Sequence, residues 1–403
     1  MGMYWNFPRL LDAGYDAHIR PTAREKKLLI NAREDMRNCL RTAFIAEKSL
    51  KTQNSLLVET ARRQLADSPG FKTPKFRIQG SFAYSTEITA IQHPPQEVDM
   101  DDGMFLPATY FEGQGAQPVI SSKAYFAKVE RVLGQLAARK GWTLVTSKST
   151  CVRIQINNRL HVDLPLYAIK DVEFTQLVEK AIAKASYLTR DLLFNETELR
   201  DDFYRGISQD EIMLAHREDG WITSDPRKLE DWFKNAVTVH GDKVRKISRI
   251  LKAHRDATEQ KSPLSSIAIM VGVVDAFEND PSLNQHKLCH ILGEVCGHLD
   301  TFFAGRVPNP AFPGRPDLAL CVGWDPLQRQ NIRASMRTLR NDLDNAGRTT
   351  DRGFALRLLG STFGEYLDQD VSLIDAASAT AQSFANATAE QQPEPPVQSY
   401  TSG

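Results

Sequence analysis

The sequence predicts an α+β protein of two lobes, in which a mixed sheet braced by a long N-terminal helix is followed by a helical C-terminal lobe. Three observations carry this prediction. Short runs at Lys75–Ile78, Glu97–Asp101, Cys151–Ile156 and Arg159–Tyr167 alternate apolar with polar residues, the period of half-buried strands. Before and between them, apolar residues recur at helical spacing. From about Gly241 onward the pattern is helical throughout.

In chain order, Thr22 and Glu25 have the form of a capping box, and Leu29, Met36, Leu40, Phe44 and Leu50 follow on one helical face. This predicts a spine helix to about Leu65, ended by Asp67-Ser68-Pro69-Gly70. Phe126, Val129, Leu133 and Leu136 predict a helix over about Ser122 to Lys140, and Phe174 to Tyr187 reads as another. Asn157-Asn158 is a hairpin turn between two strands. Asn195 to Glu218 reads as a polar segment leading to Ser224-Asp225-Pro226, where Asp225 caps a helix and Pro226 suits its first position. The expected domains are a first lobe with the spine over residues 1–240, a helical lobe over 241–375, and a disordered tail over 376–403 that is rich in Ala, Ser, Thr, Gln and Pro.

Composition narrows the function classes. The 403 residues are 41% hydrophobic and 25% charged, an ordinary globular mixture with no apolar run long enough to span a bilayer. Fifty basic and fifty acidic residues cancel, so no global field favours nucleic acid or an anionic membrane. Five scattered cysteines and the absence of a hydrophobic leader in Met1 to Arg20 fit a reducing cytoplasm. Cys289, His290, Cys296 and His298 do not have paired zinc-ligand spacing; Cys289 and Cys296, a heptad apart, read as core residues.

The chemistry concentrates in Gly80 to Asp102. Val98 and Met100 alternate with acids, which places Asp99 and Asp101 on one strand face and Asp102 on the other. Like charges this close call for a cation, and carboxylate oxygens are the ligands Mg²⁺ prefers. Gly80-Ser81 follows a strand and opens a helix, so backbone N–H groups and a hydroxyl can face an anion. Asp163 projects from a later strand and supplies a third acid. Three carboxylates around two Mg²⁺ ions would form a two-metal site for nucleotidyl transfer.

The runs Gln79-Gly80-Ser81-Phe82-Ala83-Tyr84, Glu97-Val98-Asp99-Met100-Asp101-Asp102-Gly103 and His161-Val162-Asp163-Leu164-Pro165-Leu166-Tyr167 resemble the bacterial cGAS/DncV-like nucleotidyltransferases, most closely the DncV-type cyclic GMP-AMP synthases. Leu214 to Glu218, Ser224 to Lys228 and Leu251 to Asp256 extend the resemblance across most of residues 20 to 375. It implies a polymerase-β-like fold, ATP and GTP as substrates, Gln79, Gly80 and Ser81 at the triphosphate, and nucleotide contacts from Tyr84, Arg153, Lys252 and Ser266. Lys252 also lies on a basic helix, and such a charge run is commonly a solvated face. The resemblance further implies a cyclic dinucleotide messenger of CBASS antiphage defence acting on a separate effector, no activation by double-stranded DNA, and conjugation of the C-terminal Gly403 by an E1/E2-like enzyme. Two other functions use the same residues differently: a template-independent polymerase acting on RNA ends, and a non-enzymatic nucleotide-binding scaffold.

Overall fold

The computed structural model describes residues 4–52, 74–91, 96–107, 122–169, 212–258 and 261–377. Contacts divide the chain into one unit of Pro21–Asn235 and another of Met1–Arg20 with Ala236–Gly403. The chain begins with a two-residue strand, Trp5–Asn6 (β1), and a helical turn over Leu10–Tyr15. The sequence reading had set residues 1–240 in one lobe; these contacts instead group the first twenty with the helical unit, because Trp5, Phe7, Leu10, Leu11 and Tyr15 bury their side chains there.

The spine helix spans Ala23–Thr52 (α1). Its capping box forms as read: Glu25 N–H donates to Thr22 Oγ1 (3.2 Å), and Thr22 N–H donates to Glu25 (2.8 Å). The end foreseen near Leu65, the Phe174–Tyr187 helix and residues 378–403 of the expected tail lie outside the described residues, while Ala376, set at the start of that tail, instead pairs with Trp5. Lys75–Gln79 (β2), Gly80–Tyr84 (α2) and Val98–Pro107 (β3) follow. The next helix, Ser122–Lys140 (α3), buries Phe126, Val129, Leu133 and Leu136 as its spacing predicts. Then come Thr143–Val145 (β4), Cys151–Gln155 (β5), Leu160–Ile169 (β6), Ile212–His216 (β7) and Gly220–Thr223 (β8). The β5–β6 turn is fixed by Asn157 Oδ1, which accepts from the N–H groups of Arg159 (2.8 Å) and Leu160 (3.0 Å).

These strands make a seven-stranded mixed sheet in the order β2-β3-β6-β5-β4, with β7 paired to β6 and β8 to β7. Only the central β3–β6 pair is parallel among the described strands. Strand β7 is a departure from expectation, since it falls in the segment read as polar. Its short apolar run pairs Leu214 with Tyr167 at the far end of β6, a contact no local pattern announces.

One face of the sheet is closed by α1 and α3. Met100, Met104, Ile154, Val162, Leu164 and Leu166 meet Leu29, Met36, Leu40, Phe126 and Val129 in one core cluster. Asp102 points into this same layer, 1% exposed. Arg37 of α1 meets it with a two-pronged bond, Nε to Oδ2 at 2.8 Å and Nη2 to Oδ1 at 2.5 Å.

In the other unit, Arg227–His240 (α4) crosses the contact boundary, and Asp225 Oδ1 accepts from Arg227 N–H at its start (3.0 Å). Lys243–Thr258 (α5), Ser266–Asn279 (α6), Leu288–Phe302 (α7), Pro326–Arg348 (α8) and Arg352–Phe363 (α9) then pack together, with Asp375–Ala376 (β9) pairing antiparallel with β1. Arg249 of α5 holds the N-terminal segment through buried Asp16 at 2.8 and 2.9 Å. Cys289 and Cys296 are buried thiols on α7, matching the core reading. Among the described residues no helix is long and apolar enough to cross a membrane.

Two predictions follow from buried charge. Arg37→Met leaves the Asp102 carboxylate buried without its guanidinium, a loss of about 3–5 kcal/mol, read as a lower urea midpoint. The second concerns His254 on α5, whose Nε2 lies 3.3 Å from Ser335 Oγ. Burial lowers its pKa from 6.5 to about 4. Between those values the unfolded chain binds the proton that the folded one refuses, so stability is fully present above pH 6.5 and falls toward pH 4, by up to about 3 kcal/mol at 1.36 kcal/mol per unit. His254→Gln flattens that part of a thermal-melt series against pH.

Candidate active site

The sheet face turned away from α1 and α3 carries the polar residues. The pleat sends Asp99, Asp101, Gly103 and Phe105 of β3 there, with His161, Asp163 and Tyr167 of β6, while their sequence neighbours enter the core. Register then aligns them across strands. Gln79 of β2 stands opposite Asp101, Asp101 opposite Asp163, and Asp163 opposite Arg153 of β5. One row across four strands therefore holds an amide, two carboxylates and a guanidinium, and Asp99 lies one pleat along, opposite His161.

Each member is braced. Arg153 donates from Nε to Asp163 Oδ1 (2.7 Å) and from Nη2 to Oδ2 (2.8 Å). Although burial alone would lower the Arg153 pKa, its hydrogen bonds to and attraction by Asp163 raise it. His161 sits between two acids, its Nδ1 2.8 Å from Glu97 and its Nε2 4.0 Å from Asp163. Burial holds His161 below the ordinary imidazole range against the pull of Asp163. Burial, followed by the charge of Asp163, pushes the Cys151 thiol up to about 12, so it stays protonated and inert. Tyr167 stacks on Phe105 with ring centres 4.7 Å apart and donates its hydroxyl to Gln79 Oε1 at 3.1 Å.

Gly80 joins the row to α2. Its φ of +60° lies in the left-handed region, and a Cβ built there would stand 2.0 Å from Asp101 Oδ2. The turn and the carboxylate are thus packed directly together, with Ser81 next along. Tyr84 at the end of α2 packs edge-on to Phe233 (6.0 Å). Burial, then the nearby Asp101 charge, raises its phenol pKa, keeping it neutral.

Among the described residues no three His, Cys, Asp or Glu side chains converge as a ready metal cage. The donor set nevertheless fits a hard divalent cation. Asp99, Asp101 and Asp163 share one face, and a carboxylate that receives an arginine fork retains lone pairs for a further ligand.

Of the residues expected from sequence, Gln79, Gly80, Ser81, Tyr84, Asp99, Asp101, Arg153 and Asp163 all lie in the Pro21–Asn235 unit. Lys252, buried on α5, and Ser266, which accepts from Arg255 Nη1 at 3.2 Å, belong to the other unit. Gly403 lies outside the described residues. The sequence reading did not single out Glu97 and His161, although His161 sits two residues before Asp163 and so shares its face.

Residues 74–167 match the family model of the DncV-like cyclic GMP-AMP synthase nucleotidyltransferase domain, and residues 241–376 match that of the cyclic GMP-AMP synthase C-terminal domain. A cyclic GMP-AMP synthase of Escherichia coli is 30% identical over 331 residues, covering 80% of this chain and 74% of that one. The chain belongs to the DncV-like cyclic GMP-AMP synthases. It is a nucleotidyltransferase that synthesises a cyclic dinucleotide. Its fold is that of Vibrio cholerae DncV in complex with the linear intermediate pppA(3′,5′)pG, with a TM-score of 0.73, 27% identity, and coverage of 94% of this chain and all of that one. A V. cholerae DncV variant in complex with ATP, GTP and 5MTHFGLU2 matches with a TM-score of 0.75 at 26% identity, over 93% of this chain and 100% of that one.

Gly80→Ala tests the packing of the turn on Asp101. The added methyl displaces the carboxylate, and a shift of about 1 Å at a reacting centre costs roughly 100-fold in rate. Cyclic dinucleotide formation should fall by that order while the circular dichroism spectrum stays unchanged.

Proposed function

We propose that the chain joins ATP and GTP into 3′,3′-cyclic GMP-AMP, releasing pyrophosphate at each of two successive transfers, as a second messenger of antiphage defence. The observation that carries this reading is the row Gln79, Asp101, Asp163, Arg153, with Gly80 packed against Asp101 at its end. Asp99, Asp101 and Asp163 would hold two Mg²⁺ ions, which supply Lewis-acid activation of the acceptor hydroxyl and charge neutralisation of the leaving pyrophosphate.

The chain's own groups do the rest. The backbone N–H groups and hydroxyl at Gly80-Ser81 bind the donor triphosphate. Asp163 accepts the proton of the acceptor ribose hydroxyl, and the Arg153 fork fixes the direction of its lone pairs. Gln79, oriented by Tyr167, offers its amide to a phosphate oxygen. One P–O ester bond forms and one phosphoanhydride bond breaks in the first transfer; the linear dinucleotide then reacts again within its own length and closes. No nucleophilic side chain is required, since positioning and electrostatics lower the barrier. For Lys252 and Ser266 as nucleotide contacts, and for conjugation at Gly403, support comes from the family resemblance.

The purified chain with ATP, GTP and Mg²⁺ should give a phosphatase-resistant product with the mass of cyclic GMP-AMP. Asp99→Ala/Asp101→Ala and excess EDTA should each abolish it. A product of another mass would overturn the assigned bases, and an undiminished product in the double variant would overturn the assigned site.

A further inference from the structure

Beyond Asp101 and Asp163 the open face of the sheet changes character. Gly103 and Phe105 are the next residues of β3 on that face, and Tyr167 of β6 stands opposite Phe105. Gln79, opposite Asp101 on β2, is only 7% exposed. A Cβ on Gly103 would stand 2.6 Å from Gln79 Nε2 and 2.9 Å from its Cδ. Since Gly103 is opposite Arg77, the Gln79 side chain folds back along its own strand and fills the space that the glycine leaves.

There the amide meets Tyr167, whose hydroxyl donates to Gln79 Oε1 at 3.1 Å. Three features give this contact a role beyond packing. First, the phenol is held in place by its ring, which lies on Phe105 with the planes 9° apart. Second, the amide is left one-sided. It has one carbonyl and two N–H hydrogens to offer; the carbonyl is taken, while Nε2 is buried with no hydrogen-bond partner among the described residues. Buried donors without an acceptor are uncommon in native proteins, so this one calls for a ligand. Third, the unmatched donor belongs to the residue directly before Gly80-Ser81, where β2 gives way to α2.

The direction of the amide matters because two kinds of ligand would share this face. A carbonyl oxygen is a ligand for a hard cation, whereas an N–H donates to a phosphate oxygen. A glutamine free to turn over serves either one.

We propose that Tyr167 is a positioning residue for the donor triphosphate: by holding Gln79 Oε1 it keeps the carbonyl from the metal ions and reserves the Nε2 hydrogens for a phosphate oxygen. Gly103 belongs to the same arrangement, because any side chain there would take the place of the amide. The inference rests on the nucleotidyl-transfer reading of the site given above.

Tyr167→Phe tests it, removing the hydroxyl and keeping the stacked ring. Calorimetry on the full chain with Mg²⁺ uses ATP and GTP analogues that carry a methylene bridge between the α and β phosphates and so cannot release pyrophosphate. Tyr167→Phe should weaken their binding by about three- to tenfold, the usual worth of one hydrogen bond. In cyclic dinucleotide synthesis KM should rise by the same factor with kcat unchanged, since the phosphate contact is made before and during reaction. On a Gln79→Ala background the same change should have no further effect, because the hydroxyl acts only through that amide. Wild-type affinity in Tyr167→Phe would overturn the inference and leave the assigned reaction standing, and so would an equal loss with and without Gln79, the mark of a purely structural role. A wild-type chain that bound neither analogue would overturn both the inference and the reading on which it rests.

Discussion

Asp101 and Asp102 are covalent neighbours that face opposite sides of the sheet. Asp102 enters the layer beneath α1 and is neutralised there by Arg37. Asp101 stands on the open face beside Gly80 and in register with Asp163. The whole site depends on this alternation, because a slip of one residue in β3 would bury the wrong carboxylate and remove the acid row at one stroke. The Arg37 fork fixes the register: only one phase of the strand brings a carboxylate to the guanidinium. Retaining an ion pair in an otherwise apolar layer specifies structure more than it adds stability.

The parallel pairing of β3 with β6 has a related role. Asp101 and Asp163 are distant in sequence, and only adjacency of these two strands brings their carboxylates side by side. Such a pairing is enforced by burial, since Met100, Met104, Val162 and Leu166 share one core and leave little freedom for β6 to shift against β3. Arg153 then offsets one of the like charges so that the acids can stand close.

The parts legible in the sequence were those with local signals. The capping box at Thr22, the bounds of α3, the Asn157 turn and the opposed faces of Asp101 and Asp102 all follow from spacing within a few residues. Strand β7 was missed because its five residues have no alternation of their own and are fixed by β6. The β1–β9 pair is shorter still and joins opposite ends of the chain. Within the site the three acids could be read, while the fork between Arg153 and Asp163 required knowing which strands are neighbours. Glu97 and His161 lay next to residues already singled out, and counting alternate positions back from Asp163 reaches His161.

The β1–β9 pair also has a consequence for synthesis. Residues 21–235 form a continuous unit and can fold as they leave the ribosome, N-terminal elements first. Trp5 and Asn6 pair with Ala376 and Asp375, so this segment finds its place only after those later residues have been made. At about 5–20 residues per second it waits roughly 20 to 70 s. During that interval Trp5, Phe7, Leu10 and Leu11, buried in the folded unit, stay exposed on the nascent chain and available to a chaperone.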